Sequence, residues 1–451
     1  MNAMVAAALA IAFVPPAVWF TARAVEKPFQ LILLSFVGYS LIGYYMFFGL
    51  FSVFQFYVIL GLGVLGLNMA AGRQYSVSLQ FLKQILFPMA AFLLLGALSL
   101  RIAREPAITL VYLRNYTGSL AFTFLVYQFL GNEKDLRTFF KALVLVLLAN
   151  AGLGVLQAMG LSFFPATYLL PGTMSSEVDQ SIAGPKPRGF YHMPFEYAKD
   201  LLFAVMPILA FMIMGYRTRW RPALFAALAL GAAAIGTCEA RSTQIAFVLG
   251  LLYVMFRAYQ DTEKKRTVII RSTALFAVIA TALGIYIAAN PYLMQRYTLG
   301  DYSMFMRIIF VTMSIAILRE HWLWGIGLGN FKSVYFEYLP QIFHKVPMFS
   351  FKALQPHNVF LDIWTGGGIF MLLAYLAIFV FTFAALEQVR RRNTSRFLRI
   401  LSVGFQAFLI GYLIECVFHN HIFDNNYWLL IGMSYAMLGM TPACGRERGD
   451  R

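Results

Sequence analysis

Charge is scarce in this chain: Asp, Glu, Lys and Arg make up 12% of it, against 60% hydrophobic residues. A soluble globular domain carries about twice that share of charge, and a disordered chain more, so both classes are excluded. Cysteine is rarer still. Cys238, Cys416 and Cys444 are odd in number and scattered, which rules out a disulfide framework or a thiolate metal site. Acidic residues number 20 against 36 basic ones, and neither heptads nor a solenoid period is apparent.

What fills the chain instead is apolar sequence in runs of membrane-spanning length. Six precede residue 160 (3–22, 29–48, 50–70, 84–100, 107–130, 140–160), four lie at 200–215, 222–237, 243–256 and 272–289, and three at 359–386, 399–418 and 425–440. The runs are too long and too uniformly apolar for the alternating strands of an outer-membrane barrel. The expected fold is an all-α polytopic membrane protein, a bundle of about 12–13 transmembrane helices with two long outer loops carrying short interfacial helices. The first run lacks a basic leader region and holds Pro15-Pro16, so it reads as a retained span.

The net charge of +16 invites a nucleic-acid reading, but the placement of the basic residues decides against one. About two thirds fall in alternate short loops, such as Arg217/Arg219/Arg221 and Arg390/Arg391/Arg392, as the positive-inside rule requires of a cytoplasmic face. This orientation makes the amino terminus external and the carboxy terminus cytoplasmic. The chain then divides into amino-terminal helices (1–160), a first outer loop (161–199), helices with an outer turn at Arg241 (200–289), a large outer loop (290–357), carboxy-terminal helices (358–440) and a tail (441–451).

Loops of such length inside a compact fold are usually functional. The remaining basic residues gather there, and three groups stand where hydrocarbon should meet water. Arg241 lies in the turn between two spans; Arg307 heads the short apolar run Ile308–Leu318; His357 precedes the run from Val359. Guanidinium groups are permanently charged forks suited to phosphate oxygens. Histidine is the side chain whose ordinary pKa suits proton transfer near neutrality. Pro356 is expected at the first helical position, which would put His357 in the first turn and keep its ring neutral at the positive end of the dipole. Gly325-Ile326-Gly327-Leu328-Gly329-Asn330 lacks the Lys-Ser/Thr of a phosphate loop and reads as a tight turn.

Arg307-Ile-Ile-Phe, then Trp324-Gly325-Ile326-Gly327-Leu328-Gly329-Asn330-Phe331, a variable loop, His357-Asn358-Val-Phe-Leu361 and Gly368 together resemble the core of the O-antigen ligase and polymerase superfamily. Arg241-Ser242 resembles its upstream arginine site, and Gly189 to Pro194 its preceding glycine-to-proline segment. The resemblance covers roughly residues 185–440. It implies a glycosyltransferase that is metal-independent, cofactor-free and inverting. The donor would be a glycan on undecaprenyl diphosphate, and the acceptor either lipid A core or a second lipid-linked glycan. The setting would be a bacterial inner membrane with the site facing the periplasm. It further implies His357 as the base, Arg241 and Arg307 as diphosphate clamps, and Arg188, His192, Glu196 and Asn358 as substrate-binding residues. Met371 and Phe195 depart from the ligase pattern, which has a small residue or tyrosine, and asparagine, at those places.

Other readings remain open. Glu177 with Asp179, or His419 and His421 with Asp424, would be the candidate metal ligands, although the i, i+2, i+5 spacing of the second set fits no single helix face and reads as a polar outer turn. Glu196 and Asp200 share a helix face at what reads as a solvated span entrance. A transporter or flippase also suits a dozen spans, although no duplication of halves is visible.

Overall fold

The computed structural model describes residues 25–42, 46–47, 51–159, 187–191, 194–238, 240–261, 302–342, 355–420 and 423–441, with short pieces between 263 and 281. The expected spans at 3–22 and most of 272–289 lie outside them. The described chain is helical almost throughout. In order it forms α1 (Phe29–Ile42), α2 (Val53–Ala70), α3 (Leu79–Arg101), α4 (Pro106–Phe129), α5 (Glu133–Ala158), α6 (Pro194–Ile213) and α7 (Arg221–Thr237). There follow α8 (Arg241–Gln260), α9 (Tyr302–His321), α10 (Phe331–Ile342), α11 (Val359–Arg392), α12 (Arg396–Phe418) and α13 (Asn425–Gly439). A pair of two-residue strands, Met46–Phe47 and Phe51–Ser52, sits between α1 and α2. The helices α3, α5, α8, α11 and α12 are each long and apolar enough to cross a bilayer, so this is an all-α polytopic membrane protein.

Polar residues set the helix ends where the apolar runs stop. Asn132 caps α5 by accepting from the Asp135 amide, Ser395 caps α12 at Leu398, and Asp424 caps α13 at Asn426. Between those ends, small residues let backbones close up. A Cβ on Gly404 of α12 would lie 2.4 Å from Cα of Pro207 in α6, and one on Gly411 2.7 Å from Leu202 of the same helix. In lipid, such close packing replaces the water-driven force that holds soluble cores. The helix α12 is buried along nearly its whole length, against α6, α8 and α11.

The two ends of the bundle differ in chemistry. At one, Glu387 is bridged by Arg257 and Arg390, Arg390 also reaches Asp261 at 2.6 Å, and Arg137 binds the Tyr216 hydroxyl at 2.9 Å. These are residues of the basic loops, brought together on one side as their alternation required. The other end gathers the α3–α4 turn, the glycine run and the segments that begin α6, α8, α11 and α13.

One span is broken, at a place where Gly366-Gly367-Gly368 allows a hinge inside the apolar run. The run that begins at Val359 is not a continuous helix: α11 breaks at Gly368, whose φ of 77° and ψ of 179° are non-helical. The stretch from the break to Arg392 rises about 36 Å at ~1.5 Å per residue, enough to cross a hydrocarbon core of about 30 Å by itself. The residues before the break therefore form a separate short piece. Its freed backbone groups are taken by the glycine run and the residues just before it: the Ile326 and Gly327 amides donate to the Thr365 and Gly366 carbonyls at 2.8 and 2.9 Å, and the Ile369 amide donates to the Trp322 carbonyl at 3.1 Å. Unpaired backbone is costly near lipid, and here another segment of the chain satisfies it.

Candidate functional site

The piece of α11 before the break starts three residues later than the sequence suggested, at Val359 and not at Pro356. Asn358, not an earlier residue, caps the helix: its Oδ1 accepts from the Leu361 amide at 3.0 Å. His357 therefore precedes the cap and does not lie in the first turn, and Pro356 is not the first helical residue. The reason is conformational, since His357 takes φ 49°, the one positive φ among described non-glycine residues, and a left-handed residue cannot continue a helix. That conformation stores strain of about 1–3 kcal/mol and turns the ring toward α9.

There the ring lies 5.5 Å from that of Phe310. Burial and the positive charge of Arg307 both hold the imidazole pKa below its ordinary 6.5, so the ring is neutral at pH 7 and able to accept a proton. The helix that carries Arg307, α9, runs the full Tyr302–His321 and is longer than the apolar run Ile308–Leu318 implied, because Tyr302 to Arg307 before the run and Arg319 to His321 after it are helical too. Arg307 is half-buried, with its guanidinium 5.7 Å from the centroid of Phe418, at the end of α12.

The same end of α12 reaches Arg241's neighbourhood. Arg241 opens α8 and is half-buried. The next residue, Ser242, donates to Glu415 Oε2 at 3.1 Å and lies 3.0 Å from His419 Nε2. On the other side, Asn420 donates to Asp362 Oδ2 at 3.0 Å, and Asp362 is fully buried one turn into α11. Thus the structure brings Arg307 and His357 together, and links Arg241 to them through the end of α12.

Of the four residues expected to bind substrate, Asn358 is engaged in capping, and His192 lies outside the described residues. Arg188 is half-buried on a turn pinned by α5: the Arg188 and Gly189 amides both donate to Gln157 Oε1, at 3.0 and 2.9 Å. Burial lowers the pKa of its guanidinium, which still carries a full charge. Glu196 sits in the first turn of α6. Its expected partner in a solvated entrance, Asp200, is instead buried: it accepts from Asn426 at 2.7 Å and lies 3.6 Å from the Lys199 ammonium. Lys199, itself 2% exposed, binds Asp424 at 3.0 Å, so two carboxylates and one amine are enclosed together where the sequence suggested water.

The proposed metal ligands go different ways. His419 engages Ser242 while Asp424 engages Lys199, and Glu177, Asp179 and His421 lie outside the described residues; among those described, no group of three His, Cys, Asp or Glu converges. The glycine run is a tight turn, as expected, and its amides are occupied. Those of Gly325, Ile326, Gly327, Leu328 and Asn330 all donate to protein acceptors, so the run offers no cradle of free amides to a phosphate. Sequence reading missed Asp362 and Glu415, and counted Lys199 only as one of the basic residues of the first outer loop. The signal was a charged residue set inside or beside an apolar run, which is rarely there without a function or a partner.

These features define a multi-pass membrane protein with a polar, histidine- and arginine-bearing cluster at one end. No family model matches the chain, and no curated protein is similar to it at a meaningful level.

Proposed function

We propose that this protein transfers a glycan from undecaprenyl diphosphate to a hydroxyl acceptor at the outer face of a bacterial inner membrane, in the manner of an O-antigen ligase. His357 accepts the proton of the attacking hydroxyl. As the glycosyl bond breaks, Arg241 and Arg307 carry the charge developing on the departing diphosphate. Attack on the side of the sugar opposite the leaving group inverts its configuration. The observation that carries the reading is the pairing of a neutral, strained His357 with a guanidinium close enough to depress its pKa. A base beside a fixed cation is what this displacement needs: one group takes a proton, the other stabilises an anion. Strain held at a single polar residue also favours function over mere packing.

Met371, buried behind the break in α11, keeps the polymerase reading beside the ligase one, since it stands where ligases carry a small residue or tyrosine. Donor chemistry is shared and only the acceptor differs. Purified protein supplied with lipid-linked repeat unit, with and without lipid A core, tests all of this at once. Release of undecaprenyl diphosphate is expected from wild type and not from a folded His357→Ala variant. A single core adduct identifies a ligase, and a ladder without core a polymerase. Movement of the intact lipid across the bilayer without cleavage would instead identify a flippase and refute transfer.

A further inference from the structure

Four residues at the end of α12 touch every element that carries a group of the proposed site. Glu415 and His419 hold Ser242, next to Arg241; Phe418 lies under Arg307; Asn420 holds Asp362, whose amide in turn donates to the carbonyl of Asn358, beside His357, at 2.9 Å. None of these contacts is a bystander of a solvent-exposed turn. Glu415 and Asp362 are fully buried, Ser242 is 5% exposed, and the His419 side chain 13%. The Ser242 hydroxyl has a single hydrogen. Given to Glu415, it leaves the oxygen to accept from the Nε2–H of His419, so the serine is held from two sides and α8 is fixed at its first turn.

We propose that the α12 end, through Glu415, Phe418, His419 and Asn420, is the positioning frame of the site: it sets Arg241, Arg307 and His357 in one geometry although they come from three separate elements. The proposal rests on the function argued above. It explains why a carboxylate is buried at position 415, in a helix that is otherwise apolar there, and it gives the His419-Asn420 pair a role other than metal binding. Arg241 and Arg307 are the groups that face the diphosphate; the α12 residues act through them and through His357 and touch no reacting atom. A frame of this kind moves affinity and rate together, since displacing a clamp by a fraction of an ångström weakens its hold on both ground state and transition state.

The test uses full-length protein in lipid nanodiscs, with two readouts: binding of undecaprenyl diphosphate by native mass spectrometry, and steady-state transfer from the lipid-linked glycan. Glu415→Ala is expected to raise the donor KM and lower kcat/KM about tenfold or more, on the scale of a lost buried hydrogen bond to a charged group. Glu415→Gln keeps an acceptor for Ser242 and should recover most of that loss. Ser242→Ala combined with Glu415→Ala should be no worse than the poorer single variant, because both act through one contact. Phe418→Leu, which leaves the buried pair intact and so guards against misfolding, should weaken lipid diphosphate binding a few-fold by removing the ring under Arg307. Additive losses, a Gln variant as poor as Ala, or unchanged donor binding in both Glu415→Ala and Phe418→Leu would overturn the frame while leaving the function standing. Wild-type protein that neither binds nor cleaves the lipid diphosphate would overturn the function, and the frame with it.

Discussion

A methyl group on Gly325 should do more damage than its size suggests. Gly325 takes φ 75°, where an L side chain costs about 1–2 kcal/mol. Its Cβ would also meet backbone, not a yielding side chain: the Gly366 oxygen at 2.5 Å and the Thr365 oxygen at 2.6 Å. The glycine run must then withdraw from the break in α11. In doing so it loses the bonds from Ile326 to Thr365 and from Gly327 to Gly366, each worth about 0.5–1.5 kcal/mol. Gly325→Ala is therefore expected to destabilise the protein by about 2–5 kcal/mol. Gly152 supplies the opposing case. It lies within α5, where an added methyl would meet nothing within 4 Å, so Gly152→Ala should be neutral or stabilise by up to about 1 kcal/mol through helix propensity. Thermal unfolding of the two variants in the same detergent, followed by near-ultraviolet circular dichroism, separates them. Equal melting of Gly325→Ala and wild type would refute the claim that the glycine run holds the broken helix together.

Three further outcomes follow from particular contacts. Lys199→Met leaves Asp200 and Asp424 buried without their shared cation and should cost about 3–5 kcal/mol; adding Asp200→Asn should recover part of it, and a melting curve that ignores both changes would show that the cluster is hydrated. The neutral form of His357 is favoured by burial and by Arg307, so the acid limb of the kcat/KM profile should lie below pH 6.5, and Arg307→Met should move that limb upward. The sign for stability agrees: the unfolded imidazole takes its proton at higher pH than the folded one, so the contribution of His357 is fully present above pH 6.5 and is lost as pH falls from there through the folded value. A limb that stays in place when Arg307 is removed would mean that the guanidinium does not face the ring. Finally, transfer should persist in EDTA; loss restored by a divalent ion would redirect attention to Glu177, Asp179 or His421.

Much of the architecture was already legible along the chain. Hydrophobicity and charge are properties of short segments, and a bilayer sorts them without reference to distant residues. The spans around α3 to α8 and α11 to α13, the gathering of Arg257, Arg390 and Asp261 at one end, and the candidacy of Arg241, Arg307 and His357 could all be read locally. The start of α11 was misplaced by three residues because Pro356 and Asn358 both carry helix-start signals, and only the left-handed backbone of His357 decides between them.

The tertiary structure alone decided how those groups meet. The break at Gly368 is invisible to hydropathy, since the residues on both sides are apolar and the bonds that fill the gap come from backbone amides more than thirty residues away. Asp200 looked solvated because it stands at a span entrance one turn from Glu196, yet Lys199, Asp424 and Asn426 enclose it. The end of α12 looked like an outer turn, and its contacts with Ser242, Arg307 and Asp362 span sequence separations that no local pattern encodes. Membrane insertion is written in each segment by itself; the juxtaposition of a histidine, two arginines and the residues that hold them is a property of the packed bundle, where interactions between distant segments fix what each segment alone leaves open.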